Sequence, residues 1–452
     1  MTATDLIQSL PMPQKPLGSW QPILNGALAE QARTAVQAIA ASLAHSPLCC
    51  DRIGITYPTL REGASLAGGS AGLALFYSYW NQAYPNQAAA ELALHCLENA
   101  FDAVAIAPLG ASLYSGFTGV AWATAHLRGR LLDPAGDEID SSIDAALLAL
   151  LAQSPWQLDY DLIVGLTGMG VYALERLPHP LAIICLERIV DHLEETSVTQ
   201  PTGYTWWTNP AWLPAEAREQ HPLGYYNLGL AHGVPGVIAF LGATCAAGVA
   251  VAKARPLLNG AVAWLLAQRM PAHTDASFTY WLAPGKTPER SRLAWCYGDP
   301  GVAIALLAAA RTVDEPAWAQ AAIDITLRTL KRPPEQAGIF DAGLCHGSAG
   351  LAHIYNRFYQ ATGEPRFAAA AQFWFAYTLD LRRPDVGIAG YQAWAPGENG
   401  ELTWLDDPGL LTGAAGIGLA LLAATTDIEP AWDRMLLVDA PLVMQKGRAL
   451  CA

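Results

Sequence analysis

Hydrophobic and polar positions along this chain alternate in long blocks. Seven almost wholly apolar runs (LALFYSYW, VAWATAHL, VYALERL, VIAFLGATCAAG, VAIALLAAA, LAHIYNRFY and IGLALLAA) each follow a Gly-x-x-Gly turn. The turns begin at Gly69, Gly116, Gly165, Gly233, Gly298, Gly347 and Gly413, at intervals of 47, 49, 68, 65, 49 and 66 residues. Between them lie more charged stretches with apolar residues at helical spacing, such as AELALHCLENAFDAV and LAIICLERIVDHLEE. A period of this size with two helices per unit marks a helical-hairpin repeat. Such hairpins form an open solenoid or close into a ring. The helix after each turn is apolar nearly all round, which demands burial on all sides. A ring of inner helices wrapped by amphipathic outer ones supplies that burial. The expected fold class is therefore all-α, an α/α toroid or double-layered barrel of about seven inner and seven outer helices.

The run Gly236 to Ala252 is long and uncharged, but it is rich in Gly and Ala and falls in an inner-helix slot. It is short for a membrane span, so it reads as core, and the chain as not membrane-spanning.

The unequal intervals locate three insertions, at roughly 198–231, 271–294 and 383–408. Each falls between an outer helix and the next turn, so all three emerge at the rim where inner helices begin. Their Trp, Tyr, Pro and Gly suit ordered loops with aromatic surface, fit either for binding a peptide or substrate or for plugging one end of a ring. Residues 1–26, with their prolines, read as an extended lead-in, and 27–452 as a single toroid.

Composition narrows the function. The 452 residues, 52% hydrophobic and 15% charged, can bury a very large core. A net charge of −14 argues against nucleic-acid binding and modestly favours cationic partners. The N-terminal stretch lacks the basic and apolar regions of a signal peptide, which points to the cytoplasm and to eight mostly reduced cysteines. The Cys49–Cys50 pair reads as buried or incidental.

Two of the turns carry chemistry. WCYGDPG (295–301) and LCHGSAG (344–350) each place a cysteine just before the first glycine, and the second adds His346. Two thiolates and an imidazole (Cys296, Cys345, His346) form a three-ligand zinc set with an open fourth position, the arrangement of a catalytic site. The plainer alternative is two buried cysteines and a capping histidine. On the same rim the sequence sets His232 in AHGVPG, Asp161 in YDLIVGLTG, and Arg292 four residues before Cys296. Helix N-termini there would favour thiolates. Taken singly, Asp161 and His232 are ordinary turn residues and Arg292 a surface charge.

With these motifs and the sevenfold turn, the chain resembles the lanthionine synthetase C-like family of lantibiotic cyclases over about residues 27–425, and in particular its stand-alone class I members. The resemblance implies one catalytic zinc per chain on Cys296, Cys345 and His346, with His232, Asp161, Arg292 and Tyr297 around it as catalytic residues. It implies a zinc-dependent cyclase that adds peptide cysteine thiols to dehydroalanine or dehydrobutyrine, closing lanthionine or methyllanthionine rings. The implied substrate is a dehydrated precursor peptide with its leader. A separate dehydratase and a peptide exporter would be partners, in a cytoplasmic complex peripheral to the membrane. One rival within the family is a thiol- or glutathione-binding adaptor without cyclase activity. Another is a zinc-bearing toroid of the prenyltransferase kind, disfavoured because no Lys/Arg cluster lies near the motifs in sequence.

Overall fold

The computed structural model describes residues 18–50, 63–134, 138–397 and 400–441. Most of the expected lead-in lies outside the described residues, as does Cys451. Seven inner helices each start one residue after a first glycine: α3 (Ser70–Ala83), α5 (Phe117–Leu127), α7 (Leu166–Glu175), α10 (Val234–Ala246), α12 (Asp299–Thr312), α14 (Ser348–Thr362) and α16 (Ala414–Thr425). Seven outer helices accompany them: α1 (Gly26–Leu43), α4 (Gln87–Ile106), α6 (Glu138–Leu151), α8 (Pro180–Thr196), α11 (Val251–Ala267), α13 (Pro316–Thr329) and α15 (Pro365–Asp380). Two short helices, α2 (Pro47–Cys50) and α9 (Ala215–Gln220), lie in connections.

Sterics explain the Gly-x-x-Gly signature. The chain entering each inner helix folds back so tightly that a Cβ on the second glycine would meet the carbonyl six residues earlier. At Gly119 it would lie 1.8 Å from the Leu113 oxygen, and at Gly350 1.8 Å from that of Leu344. The same fold-back satisfies amides that a helix start leaves without intrahelical partners. Ser348, Ala349 and Gly350 donate to the carbonyls of Asp341, Ala342 and Gly343 at 3.0, 3.3 and 3.2 Å.

Each inner helix packs against the next, and α16 packs against α3, closing the ring. Burial follows the hydrophobic pattern. Every residue of α16 is buried, whereas outer helix α8 buries one stripe (Ala182, Cys185, Leu186, Ile189, Val190, Leu193). Inner helices α3, α7, α10, α12 and α14 each pack most closely on the outer helix that follows, whereas α5 meets the outer helices on both sides of it in sequence. The connections explain the phase: three residues join α3 to α4 and α12 to α13, while the outer-to-inner connections are long. The first outer helix, α1, is left without a preceding partner and covers α16, the last inner one. Helix α10 is an inner core helix, and no helix among the described residues is long and apolar enough to cross a membrane.

The insertions are ordered. The first forms a hairpin of β1 (Val198–Gln200) with β2 (Gly203–Thr205), then β3 (Trp207–Thr208) and β4 (Tyr225–Asn227). The second adds β5 (Trp281–Leu282) to make the sheet β3-β4-β5, so the two insertions share one sheet. The third is the hairpin β6 (Ala393–Pro396) with β7 (Leu402–Leu405).

A last element was not legible in the sequence. The 3-10 segment Ala431–Leu436 lies between the inner helices and is held from several sides of the ring. Trp295 Nε1 donates to the Leu436 carbonyl (2.9 Å), and Tyr114 Oη to that of Met435 (2.8 Å). The buried Asp433 accepts from His353 (2.7 Å) and from two nitrogens of Arg357 (2.6 and 2.7 Å). This segment floors the rim on which the motifs sit.

Candidate metal centre

The site is built by a ring of backbone hydrogen bonds. The residue two before each first glycine bonds its counterpart in the next repeat: Ala231 N–H to Cys296 O, Cys296 N–H to Cys345 O, Cys345 N–H to Leu411 O, Leu411 N–H to Ala67 O, and Ala67 N–H to Tyr114 O, at 2.8–3.3 Å. Leu162 N–H extends it onto Ala231 O at 3.2 Å. Cys296 and Cys345 therefore occupy one register position in adjacent repeats, which turns a long separation in sequence into direct neighbours. His232, Tyr297 and His346 share the next position, one residue before the glycine.

The donor atoms of Cys296, Cys345 and His346 lie within 4.8 Å of one another, and among the described residues no fourth His, Cys, Asp or Glu joins them. Cys296 is buried, while Cys345 and His346 are half-buried and open toward the rim. The Cys296 thiol is held well below its usual range. A hydrogen bond from Cys345 is the main cause; burial opposes it, and His346 and then Arg292 assist. Cys345, the donor in that bond, is pushed up by it, by burial and by the Cys296 charge. Burial works against a charged His346, but the bond to Cys296 and its charge raise the imidazole's pKa. The set is thus a thiolate sharing protons with two neighbours, and a divalent soft-to-borderline cation would displace those protons. Two sulfurs and one nitrogen this close fit zinc, whose bonds to S and N are about 2.3 and 2.0 Å.

Asp341 supports the set and was missed in the sequence. Its Oδ2 stands 4.0 Å from His346 Nε2, in the place of an orienting partner for a ligand histidine. Its own position is fixed by Gly343 N–H and Trp394 N–H at 3.2 and 2.9 Å. A signal did exist. Six residues before the first glycine, Asp159, Asn227, Asp341 and Asp407 each accept from the amide two residues on, at 2.7–3.2 Å. Arg292 occupies that same position in the fifth repeat, placing a cation where these four repeats carry an acid or amide and the first two carry Gly63 and Gly110.

Beside the metal set, His232 Nδ1 bonds Asp161 Oδ2 at 2.5 Å, and Asp161 Oδ1 accepts from Val164 N–H and Gly165 N–H at 2.8 and 3.0 Å. Burial opposes the imidazolium, yet Asp161 outweighs it and His232 is raised above its usual pKa. The side chain keeps 41% of its surface exposed, so its other ring nitrogen is reachable from the rim. Tyr297 stacks on His232 (centroids 6.0 Å apart), and its hydroxyl accepts from Asn227 Nδ2 at 3.1 Å. Tyr280 and Trp281 of the second insertion pack on Tyr297 and wall the site. Asp159, also missed, is pushed up to about 7 by burial and by the charge of Asp161. All seven residues expected at the site thus stand on one rim.

The model of the lanthionine synthetase C-like protein family matches residues 62–437, through all seven turns. The nisin biosynthesis protein NisC of Lactococcus lactis subsp. lactis is 25% identical over 278 residues, 57% of this chain. The matched part spans 65% of that relative's length. A solved nisin cyclase has the same fold, with a TM-score of 0.70 over 90% of this chain and 97% of that one at 20% identity. Given a family match that runs through every repeat, the chain belongs to the lanthionine synthetase C-like family.

Proposed function

We propose that this protein is a zinc-dependent cyclase that closes thioether rings in a dehydrated precursor peptide. The observation that supports this most is the convergence of Cys296, Cys345 and His346 beside a His232–Asp161 pair, on the accessible side of the ring. Cys296, Cys345 and His346 would hold the zinc, whose Lewis acidity would favour the thiolate form of a peptide cysteine at neutral pH.

The chain's own residues account for the remaining steps. The peptide thiolate attacks the β-carbon of dehydroalanine or dehydrobutyrine, and the electron pair of the C=C bond moves onto the neighbouring carbonyl as an enolate. A proton must then reach the α-carbon from one face. His232 delivers it from Nε2, because Nδ1 is occupied by Asp161, which also holds the ring in orientation and favours its protonated form. Arg292, a cation on the same rim, offsets the anionic charge that builds during addition. Tyr297 and the aromatic residues around it shape the wall against which the peptide lies. The precursor, with its leader, would come from a separate dehydratase and leave through an exporter in a cytoplasmic complex.

Ring closure is an isomerisation and leaves the mass unchanged, so the test counts thiols. Purified protein is incubated with a dehydrated precursor peptide, alkylated and weighed by mass spectrometry. The expected result is a loss of alkylatable thiols that depends on enzyme and zinc. The same number of free thiols with and without the protein would refute the reading.

A further inference from the structure

The second insertion forms one wall of a cleft of about 800 Å³ on the outer side of the metal-bearing rim. Helix α12 starts at that rim and the short turn after it sends α13 back, so the C-terminal end of α13 returns to the same end of the toroid. There Arg328, Lys331 and Arg332 line the cleft, and Arg366, at the start of α15 and so nearer the opposite end of the toroid, also lines it. His273 adds a titratable group. Four cations face two carboxylates, Asp275 and Asp324, in a chain whose net charge is −14. Both carboxylates are already engaged, Asp275 by Arg290 at 2.5 Å and Asp324 by Gln320 at 2.9 Å; Arg366 is likewise paired with Glu364 at 2.8 and 3.0 Å, which leaves Arg328, Lys331 and Arg332 as the main source of positive charge. No such cluster is expected beside the motifs from the order of residues along the chain. The fold assembles one from 328–332 and 366.

Arg332 shows that this cleft is built. It is 6% exposed and donates to the Ser291 and Asp275 carbonyls at 2.7 and 2.8 Å. Its Nε has no hydrogen-bond partner, and the nearest acidic oxygen, Asp275 Oδ2, is 3.9 Å away. Burial depresses its pKa, and Asp299 and Asp275 only partly oppose this, so its charge is incompletely compensated. Through Ser291 it also braces the segment that runs on through Arg292 to Cys296.

We infer that this cleft docks an acidic segment of the peptide substrate, away from the reacting thiol, so that the bound chain runs across the second insertion toward the metal set. The inference rests on the cyclase reading for the identity of the peptide. Charge complementarity makes the case: a cationic cleft attracts carboxylates, while the net negative charge of the rest of the chain tolerates cations elsewhere on the same peptide. Anchoring at a distance raises the effective concentration of many thiols at one metal site without a separate pocket for each.

The test uses the full-length, zinc-loaded protein and a fluorescein-labelled peptide rich in Asp and Glu but lacking cysteine. Fluorescence polarisation should show binding that weakens with salt. The double variant Lys331→Glu/Arg366→Glu should weaken it about tenfold, because two attractions become repulsions. An Asn/Gln version of the peptide should bind poorly to both proteins. Unchanged helicity and zinc content confirm a folded variant; if it misfolds, Lys331→Gln/Arg366→Gln gives the same readout at smaller amplitude. Equal binding of acidic and amide peptides, or equal affinity in wild type and variant, overturns the inference. So does full competition by low concentrations of inorganic pyrophosphate, which assigns the cleft to a phosphate ligand. Because the probe has no thiol, a protein that binds it but closes no rings refutes only the cyclase reading.

Discussion

Replacing Asp161 with Asn tests the proton-delivery step most directly. Asparagine keeps an oxygen for Val164 N–H and Gly165 N–H, so the turn into α7 survives. What disappears is the charged acceptor 2.5 Å from His232 Nδ1. A hydrogen bond to a charged group is worth about 1.5–3 kcal/mol. His232 is 41% exposed, so water partly replaces the lost partner and the low end applies. Since 1.4 kcal/mol corresponds to a factor of ten, cyclisation near neutral pH should fall about tenfold. The sign of the pH effect follows from the raised pKa of His232. Asp161 extends the protonated, donating form to higher pH; without it the pKa drops, so the fall in rate with rising pH begins earlier. Acidifying the reaction should recover part of the loss. His232→Asn removes the donor altogether and should cost more, about 10²–10⁴-fold, with no recovery in acid. Both variants should keep zinc. The assay is thiol counting on a dehydrated precursor across a pH series, beside metal analysis. A wild-type rate and pH profile in Asp161→Asn would refute the coupling. Zinc loss from His232→Asn would make His232 a ligand and overturn the division of roles.

Three further outcomes follow from the geometry. Wild-type protein should carry about one zinc per chain and Cys345→Ala very little; full retention in the variant would remove Cys345 from the ligand set. Because apolar packing buries the inner helices, chelation should abolish ring closure while far-ultraviolet circular dichroism stays helical, unlike in a zinc finger; a collapse of helicity would make the metal structural. Asp433→Asn removes the principal counter-charge of the buried Arg357, leaving only Glu429 at 3.7 Å, and should cost about 3 kcal/mol, read as a lowered melting temperature. Burial would raise the Asp433 pKa, but Arg357 and then His353 hold it below the ordinary value. Its stabilisation is therefore full above about pH 4, the unfolded value, and is lost as pH falls through the lower native one. The variant should lack that acid-side loss, and identical acid unfolding curves would contradict it.

The sequence by itself determined what each repeat must be. A glycine pair that tolerates a backbone carbonyl where a Cβ would sit, followed by a helix apolar nearly all round, is a local requirement written in contiguous residues. Seven copies of it left a closed double ring as the arrangement able to bury them all. The donor types were legible for the same reason, since Cys296, Cys345 and His346 sit at fixed steps from their own turns. Tertiary structure decided adjacency. Only the ring of backbone hydrogen bonds makes Cys296 the neighbour of Cys345, and only the closeness of repeats three and four sets Asp161 against His232. Asp341 shows the boundary: its turn-forming role is local and repeats along the chain, but its proximity to His346 depends on how that turn folds back. The packing of α1 on α16, the segment Ala431–Leu436 inside the ring and the cationic cleft join residues far apart in sequence. No periodicity records such pairings. They depend on where the closed ring brings its ends and its three insertions, and that is fixed by packing across the whole toroid.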